Sequence, residues 1–244
     1  MSKSVLITGA TRGLGAGMAR HFAARGYRLA LTARNLADLE KLREELARSS
    51  PAVCIRELDV SNYDQVPVVI KECAEELGGL DIVVANAGVA MAARAGTREF
   101  ESMHTTLAIN LGGAIATCEA AIALFREQGH GQVVGITSVA ALRGMPRQAA
   151  YSASKAGFSK YLESARCDTL KESITITELA PGYIDTDLNR SIANRPFLVT
   201  GKKGTAYMVD LIEHGSRFSY VPPWPWTLVA QALKLLPLRL LAKM

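Results

Sequence analysis

From its fourth residue onward the chain alternates short apolar runs with helical patterns, and that alternation restricts it to very few architectures. SVLIT (4–8) reads as a strand, followed by a glycine-rich turn and a helix through about Ala24. YRLALTA (27–33) is a second strand, and LADLEKLREELA (36–47) is a helix with apolar residues at helical spacing. VCIREL (53–58) leads into the helical YDQVPVVIKECAEEL, which carries Pro67 in its first turns. DIVVA (81–85) leads into a long helical stretch from about Arg98 to Arg126. QVVGIT (132–137), a further helix and ITITEL (174–179) continue the pattern. Strands that are apolar throughout are buried on both faces, which predicts a parallel sheet covered by helices on both sides. The sequence has no internal repeat, low-complexity run or linker, so residues 1–244 are expected to form a single α/β domain, a doubly wound parallel sheet.

Composition narrows the functional classes. Hydrophobic residues make up 49% and charged residues 21%, the balance of an ordinary soluble globular chain. No run of 18 uncharged apolar residues occurs, so no spanning helix is expected. The start, MSKSVLITGATRG, lacks an apolar run of signal-peptide length, which points to a cytoplasmic protein. Cys54, Cys73, Cys118 and Cys167 lie far apart without a C-x-x-C pair and read as buried thiols rather than a disulfide framework. The four histidines are equally dispersed, and no metal site is expected. A net charge of +5 without a basic stripe interleaved with aromatics argues against nucleic acid as partner.

The first strand runs directly into TGATRGLG (8–15), between the first strand and first helix of a βαβ unit. That is where a dinucleotide-binding turn must sit. Gly9 permits a tight turn, while Gly13 and Gly15 let the backbone approach a pyrophosphate at the helix N-terminus, with Thr11, Arg12 and Leu14 in the same loop. A carboxylate at the end of the second strand usually marks an NAD site. Here Ala33 and Arg34 stand there, and no acid follows before Asp38 on the next helix. Two guanidinium groups, Arg12 and Arg34, suit a 2′-phosphate bidentately, so the expected cofactor is NADP(H).

YSASKAG (151–157) places Tyr151 and Lys155 four positions apart among small residues. On a helix their Cβ atoms are roughly 6 Å apart. A phenol titrates near 10, and a neighbouring ammonium favours its ionised form, so Lys155 is expected to lower the Tyr151 pKa. Such a tyrosine can exchange a proton with an alcohol oxygen. Taken alone, the pattern is short and both residues are common, so the pair reads first as a core aromatic followed by a solvated lysine.

With the glycine loop, the pair and the topology combined, the sequence resembles the short-chain dehydrogenase/reductase family from about Ser4 to Thr186. Thr8, Gly9, Gly13 and Gly15 meet its T-G-x-x-x-G-x-G motif, Asp59 and Val60 its Asp-Val pair, and Asn86, Ala87 and Gly88 its N-A-G motif. Ala85 stands where many members have a second Asn. Asn110 falls in the long helix, Ser138 follows the fifth strand, and PGYIDT (181–186) resembles the P-G-x-x-x-T segment. The resemblance implies a Rossmann-like fold and a catalytic set of Asn110, Ser138, Tyr151 and Lys155. Tyr151 would protonate the carbonyl oxygen, Ser138 would hydrogen-bond it, and Lys155 would hold the cofactor ribose. Asn110 would hold a water that links Lys155 to solvent. Asp59 and Val60 would border the adenine, and Asn86, Ala87 and Gly88 would line the cofactor site. Pro181, Gly182, Ile184 and Thr186 would border the nicotinamide. It also implies a homo-dimer or homo-tetramer assembled through the helices near 98–127 and 149–170.

The substrate end is assigned to ALRGM (141–145), Tyr183 and a loop spanning 183–204, with Arg143 and Arg190 nearby. Its apolar character suits a hydrophobic ketone or secondary alcohol. Sugar, steroid, quinone and acyl-chain compounds all stay open. The tail, 217–244, contains SYVPPWPWTLVAQALKLLPLRLLAKM, and no acid follows Glu213 while Arg217, Lys234, Arg239 and Lys243 do. One reading is a final strand plus a helix over the pocket or a partner subunit. The other is peripheral membrane contact, with Trp224 and Trp226 at the headgroups and lysines facing anionic lipid, although Pro237 interrupts the helix. Two functions outside catalysis remain on the same fold: a nucleotide-sensing protein without chemistry, and a lipid-surface protein whose tail is the active element.

Overall fold

The computed structural model describes residues 2–190, 192 and 194–242; Ser191 and Ala193 of the expected substrate loop, and Lys243 and Met244 of the tail, lie outside the described residues. Seven strands form one parallel sheet in the order β3-β2-β1-β4-β5-β6-β7. They are β1 (Ser4–Thr8), β2 (Arg28–Ala33), β3 (Val53–Glu57), β4 (Ile82–Ala85), β5 (Gly131–Ile136), β6 (Ile174–Pro181) and β7 (Phe218–Val221). The order reverses between β1 and β4, which opens a crevice at the carboxyl edge of the sheet.

Burial explains the continuously apolar strands. In β1, Val5 and Ile7 enter one core layer and Leu6 the other, so successive residues alternate between two buried faces. The first layer is closed by α1 (Gly13–Ala24), α2 (Leu36–Leu46) and α7 (Gly201–Glu213), through Met18, Phe22, Leu39, Val209 and Ile212. The second is closed by α3 (Gln65–Leu77), α5 (Ala114–Gln128) and α6 (Ala149–Asp168), through Ile70, Cys118, Phe125, Phe158 and Leu162. Pro67 sits in the first turn of α3, where its missing N–H would have no helical partner anyway.

Three expectations change. The helix expected over 98–126 is α4 (Phe100–Leu107), a wider π turn (Ala108–Gly113) and then α5. This run is apolar and long enough to cross a membrane, yet Cys118, Ile122 and Phe125 are core residues, so it is a core helix. Part of the expected substrate loop belongs to α7, whose Thr205, Met208, Val209 and Ile212 pack inward at helical spacing. Its N-cap Thr200 accepts from the Lys203 N–H, and Arg25 pairs with Asp210 and Glu213 to tie it to α1. Finally, Cys167 is exposed rather than buried, and Cys54 and Cys73, distant in sequence, bring their sulfurs to 3.8 Å.

The tail takes the strand and covering helix of its first reading. β7 extends the sheet beside β6, and α8 (Pro223–Leu235) and α9 (Leu238–Leu241) turn back over its carboxyl edge. Trp226 is 2% exposed, which corrects its expected place at a lipid headgroup.

Candidate active site

A cleft of about 540 Å³ runs along the carboxyl ends of the strands, within the size range of small-molecule sites. Gly9, Thr11, Arg12, Gly13, Leu14, Arg34, Asp59 and Val60 line one end. Asn86, Ala87, Gly88, Ser138, Tyr151 and Lys155 line its middle, and Pro181, Gly182, Ile184 and Thr186 border it. Of the expected catalytic and cofactor residues, Gly15 and Asn110 do not line it.

Gly15 is a packing position rather than a wall of the cleft. A Cβ there would collide with the Gly9 carbonyl oxygen and come within 2.8 Å of Asn86 Nδ2. The loop it supports is held by side chains at the strand ends. Thr8 Oγ1 accepts from the N–H groups of Asn86 and Ala87, each at 3.1 Å, and Asn86 Nδ2 donates to the Thr8 carbonyl at 2.8 Å. Gly9, at φ +65, turns so closely over this strand end that a Cβ would approach Ala87 Cα to 2.9 Å. Asn86 therefore has a structural duty besides facing the cleft. The exposed backbone of this loop at the start of α1 fits the pyrophosphate of a dinucleotide.

At the same end, Arg12 and Arg34 line the cleft together with Asn35, Leu58 and Asp38. Asp38 was placed on the following helix by sequence, and it indeed lies in the first turn of α2, but it reaches the cleft wall. Lys41 lies 3.4 Å from its carboxylate. Burial acts to raise the Asp59 pKa, but hydrogen bonds from Ser61 and the charge of Arg34 outweigh it and hold the carboxyl below its usual value.

In the middle, α6 brings Tyr151 and Lys155 to one face. Lys155 is 5% exposed, and its Nζ donates to the Ile136 carbonyl at 2.8 Å, 6.0 Å from the Tyr151 ring centroid. Burial pushes the lysine down to about 8. Tyr151 does not follow the expectation. Burial raises its pKa, the Ser138 hydroxyl opposes that rise, and the nearby Tyr183 phenol adds to it. Lys155 is not among the groups shifting it, because its ammonium is turned to the backbone of β5. Ser138 caps a short 3-10 turn (Val139–Ala141) by accepting from the Ala140 N–H at 3.1 Å.

Asn110, fully buried in the π turn, clamps the chain just beyond Gly88. Its Oδ1 accepts from the Val89 N–H and its Nδ2 donates to the Val89 carbonyl, both at 2.8 Å, with Ser154 Oγ at 3.4 Å. A Cβ on Gly88 would lie 3.2 Å from Asn110 Oδ1 and 3.7 Å from Lys155 Nζ, so a side chain there would crowd the amide that clamps Val89.

The substrate end is apolar. Val139, Ala140, Met145, Tyr183, Leu188 and Ile192 line it, and α8 supplies Trp226, Val229 and Leu233. Trp226 stands edge-on to Tyr183 (centroids 5.9 Å apart) and to Phe197 (6.0 Å), and lies so close over Gly182 that any side chain there would overlap the indole. The i, i+3, i+4, i+7 spacing of Trp226, Val229, Ala230 and Leu233 is the signal that could have named these wall residues from sequence. Arg143 and Arg190, expected near the substrate, do not line the cleft. Arg143 Nη1 donates to the carbonyls of Leu233, Lys234 and Leu236, capping the end of α8, and Arg190 pairs with Asp187 at 2.9 Å.

Residues 3–196 match the family model described as short chain dehydrogenase. An uncharacterised oxidoreductase of Mycobacterium tuberculosis (strain H37Rv) is 39% identical over 241 residues, which cover 98% of this chain and 95% of that protein. A 3-oxoacyl-(acyl-carrier-protein) reductase of Bos taurus is 32% identical over 192 residues, covering 79% of this chain and 80% of its own. Among solved structures, an alcohol dehydrogenase from the archaeon Thermococcus sibiricus, complexed with 5-hydroxy-NADP, superposes with a TM-score of 0.81 at 28% identity. That match covers 91% of this chain and 95% of the archaeal one.

Proposed function

Because this chain belongs to the short chain dehydrogenase family and is an oxidoreductase of that type, we propose that it interconverts a hydrophobic ketone and its secondary alcohol with NADP(H), Tyr151 acting as the general acid–base. The observation that carries this reading is that Ser138, Tyr151 and Lys155 share one cleft with Arg12 and Arg34 at one end and an apolar aromatic wall at the other. When bound, the nicotinamide of the cofactor gives or takes the hydride.

The chain's own residues perform the rest. Arg12 and Arg34 take the 2′-phosphate as charge-assisted hydrogen-bond donors, and Asp59 and Val60 border the adenine. Ser138 donates to the carbonyl oxygen and fixes the ketone beside Tyr151. As negative charge grows on that oxygen, the Tyr151 phenol gives it a proton; in the reverse direction the phenolate accepts one. Lys155, its ammonium anchored on the Ile136 carbonyl, holds the cofactor ribose. Asn110 acts one step removed, by fixing the backbone of Val89 beside the Gly88 wall. The wall of Met145, Tyr183, Leu188, Trp226 and Leu233 is apolar, and the one carboxylate beside it, Asp187, is paired with Arg190, which favours an apolar carbonyl over a small acid.

NADPH-dependent turnover on a panel of apolar ketones tests the reading. Turnover that Tyr151→Phe abolishes is expected; a panel with none, or equal efficiency with NADPH and NADH in the unmutated protein, would contradict it. We further infer a homo-dimer or homo-tetramer through α4, α5 and α6, where Phe100 is an exposed apolar residue. A purely monomeric mass in solution would oppose that assembly.

A further inference from the structure

The lid helix α8 is apolar on two faces. Trp226, Ala230 and Leu233 turn inward to the cleft, while Leu228, Ala232 and Leu235 form an outward row at i, i+4 and i+7. Thr227, Gln231 and Lys234 form the narrow polar strip between them. Trp224, in extended backbone ahead of the row, and Leu238 and Leu240, beyond the break at Leu236 and Pro237, are exposed at its two ends. Exposure reaches 72% at Trp224, 60% at Leu228, 84% at Leu235 and 72% at Leu238. Single exposed apolar residues are ordinary, but five large ones within α8 and α9 make a patch that requires a partner.

We propose that this outward face of α8 and α9 docks on an anionic phospholipid bilayer. Charge selects the partner. Lys234 and Arg239 flank the row and form no ion pair among the described residues, and no acidic side chain follows Glu213. A two-fold contact with a second copy would set the same patch against itself, bringing these cations together without a carboxylate from the tail to pair them. An anionic headgroup layer instead neutralises them, while the leucines enter the acyl boundary and the Trp224 ring settles at the headgroups. The other face of the same helix walls the cleft, so docking brings the cleft within one helix of the phase where an apolar compound accumulates. That last consequence rests on the proposed substrate class; the docking itself does not.

Flotation of the full chain with vesicles of phosphatidylcholine, alone or mixed with phosphatidylglycerol, tests the proposal. Partitioning at least ~10-fold stronger onto the mixed vesicles at low salt is expected, weakening as salt rises. Leu228→Gln with Leu235→Gln should lower it about 10-fold, leaving turnover on a water-soluble ketone within about two-fold because neither residue lines the cleft. Lys234→Gln with Arg239→Gln should erase the difference between the two vesicle types, and this pair keeps the test sharp should the leucine pair impair folding. Absence of binding to mixed vesicles at low salt would overturn the proposal, as would a leucine pair that binds like wild type. A leucine pair that lowers the oligomeric mass, with wild type ignoring lipid, would assign the face to a second copy instead.

Discussion

The two ends of the cleft are built by different means. At the cofactor end, short polar side chains stitch the backbone together: Thr8 at the end of β1 to Asn86 and Ala87 after β4, and Asn110 of the π turn to Val89. These contacts leave little freedom, because each fixes backbone groups of the chain just beyond β4. At the substrate end the wall is a helix from the tail, held by the aromatic contacts of Trp226 and by one guanidinium, Arg143, spanning three carbonyls. A rigid half fixes where chemistry occurs, and a side-chain-built lid decides what is admitted. Variation in specificity therefore belongs to the second half.

The strongest way to break this contrast is Tyr151→Phe. It should reduce turnover by about 10²–10⁴-fold while the cofactor dissociation constant, read by fluorescence titration, stays within a few-fold. Next, Arg34→Ala should shrink the NADPH-over-NADH preference in kcat/KM by roughly 10–100-fold. An unchanged preference would move the 2′-phosphate contact to Arg12 alone. Arg143→Ala frees the end of α8, and should raise KM for an apolar ketone about ten-fold and speed amide exchange in 223–235, with cofactor affinity unaltered. Equal damage to cofactor affinity would erase the distinction between the halves. The mildest effect is on pH dependence. Burial lowers Lys155 to about 8, so its charge is present below that pH and lost above it. Ketone reduction that needs the ammonium should decline as pH rises through about 8, and a flat initial-rate profile from 7 to 9 would remove Lys155 from that role.

Much of this architecture was legible before any coordinates. The six principal strands, the glycine turn, and the spacing that sets Tyr151 and Lys155 on one helical face all follow from patterns within a few residues, which backbone geometry alone governs. The tail's strand and covering helix were among its two readings for the same reason. α7 was overlooked because its start was absorbed into an apolar loop, although Thr205, Met208, Val209 and Ile212 carry a helical period.

What only the tertiary structure decided are couplings between distant parts of the chain. Lys155 turns to the carbonyl of Ile136, Asn110 spends its amide on Val89, and Arg143 leaves the substrate to cap a helix about ninety positions away. Local periodicity carries no information about these, since each is a competition for buried polar partners settled by which groups packing brings within reach. The sequence by itself determined a parallel α/β sheet with a nucleotide turn and a tyrosine–lysine helix; packing determined which of its cations face the cleft and which are consumed in holding it together.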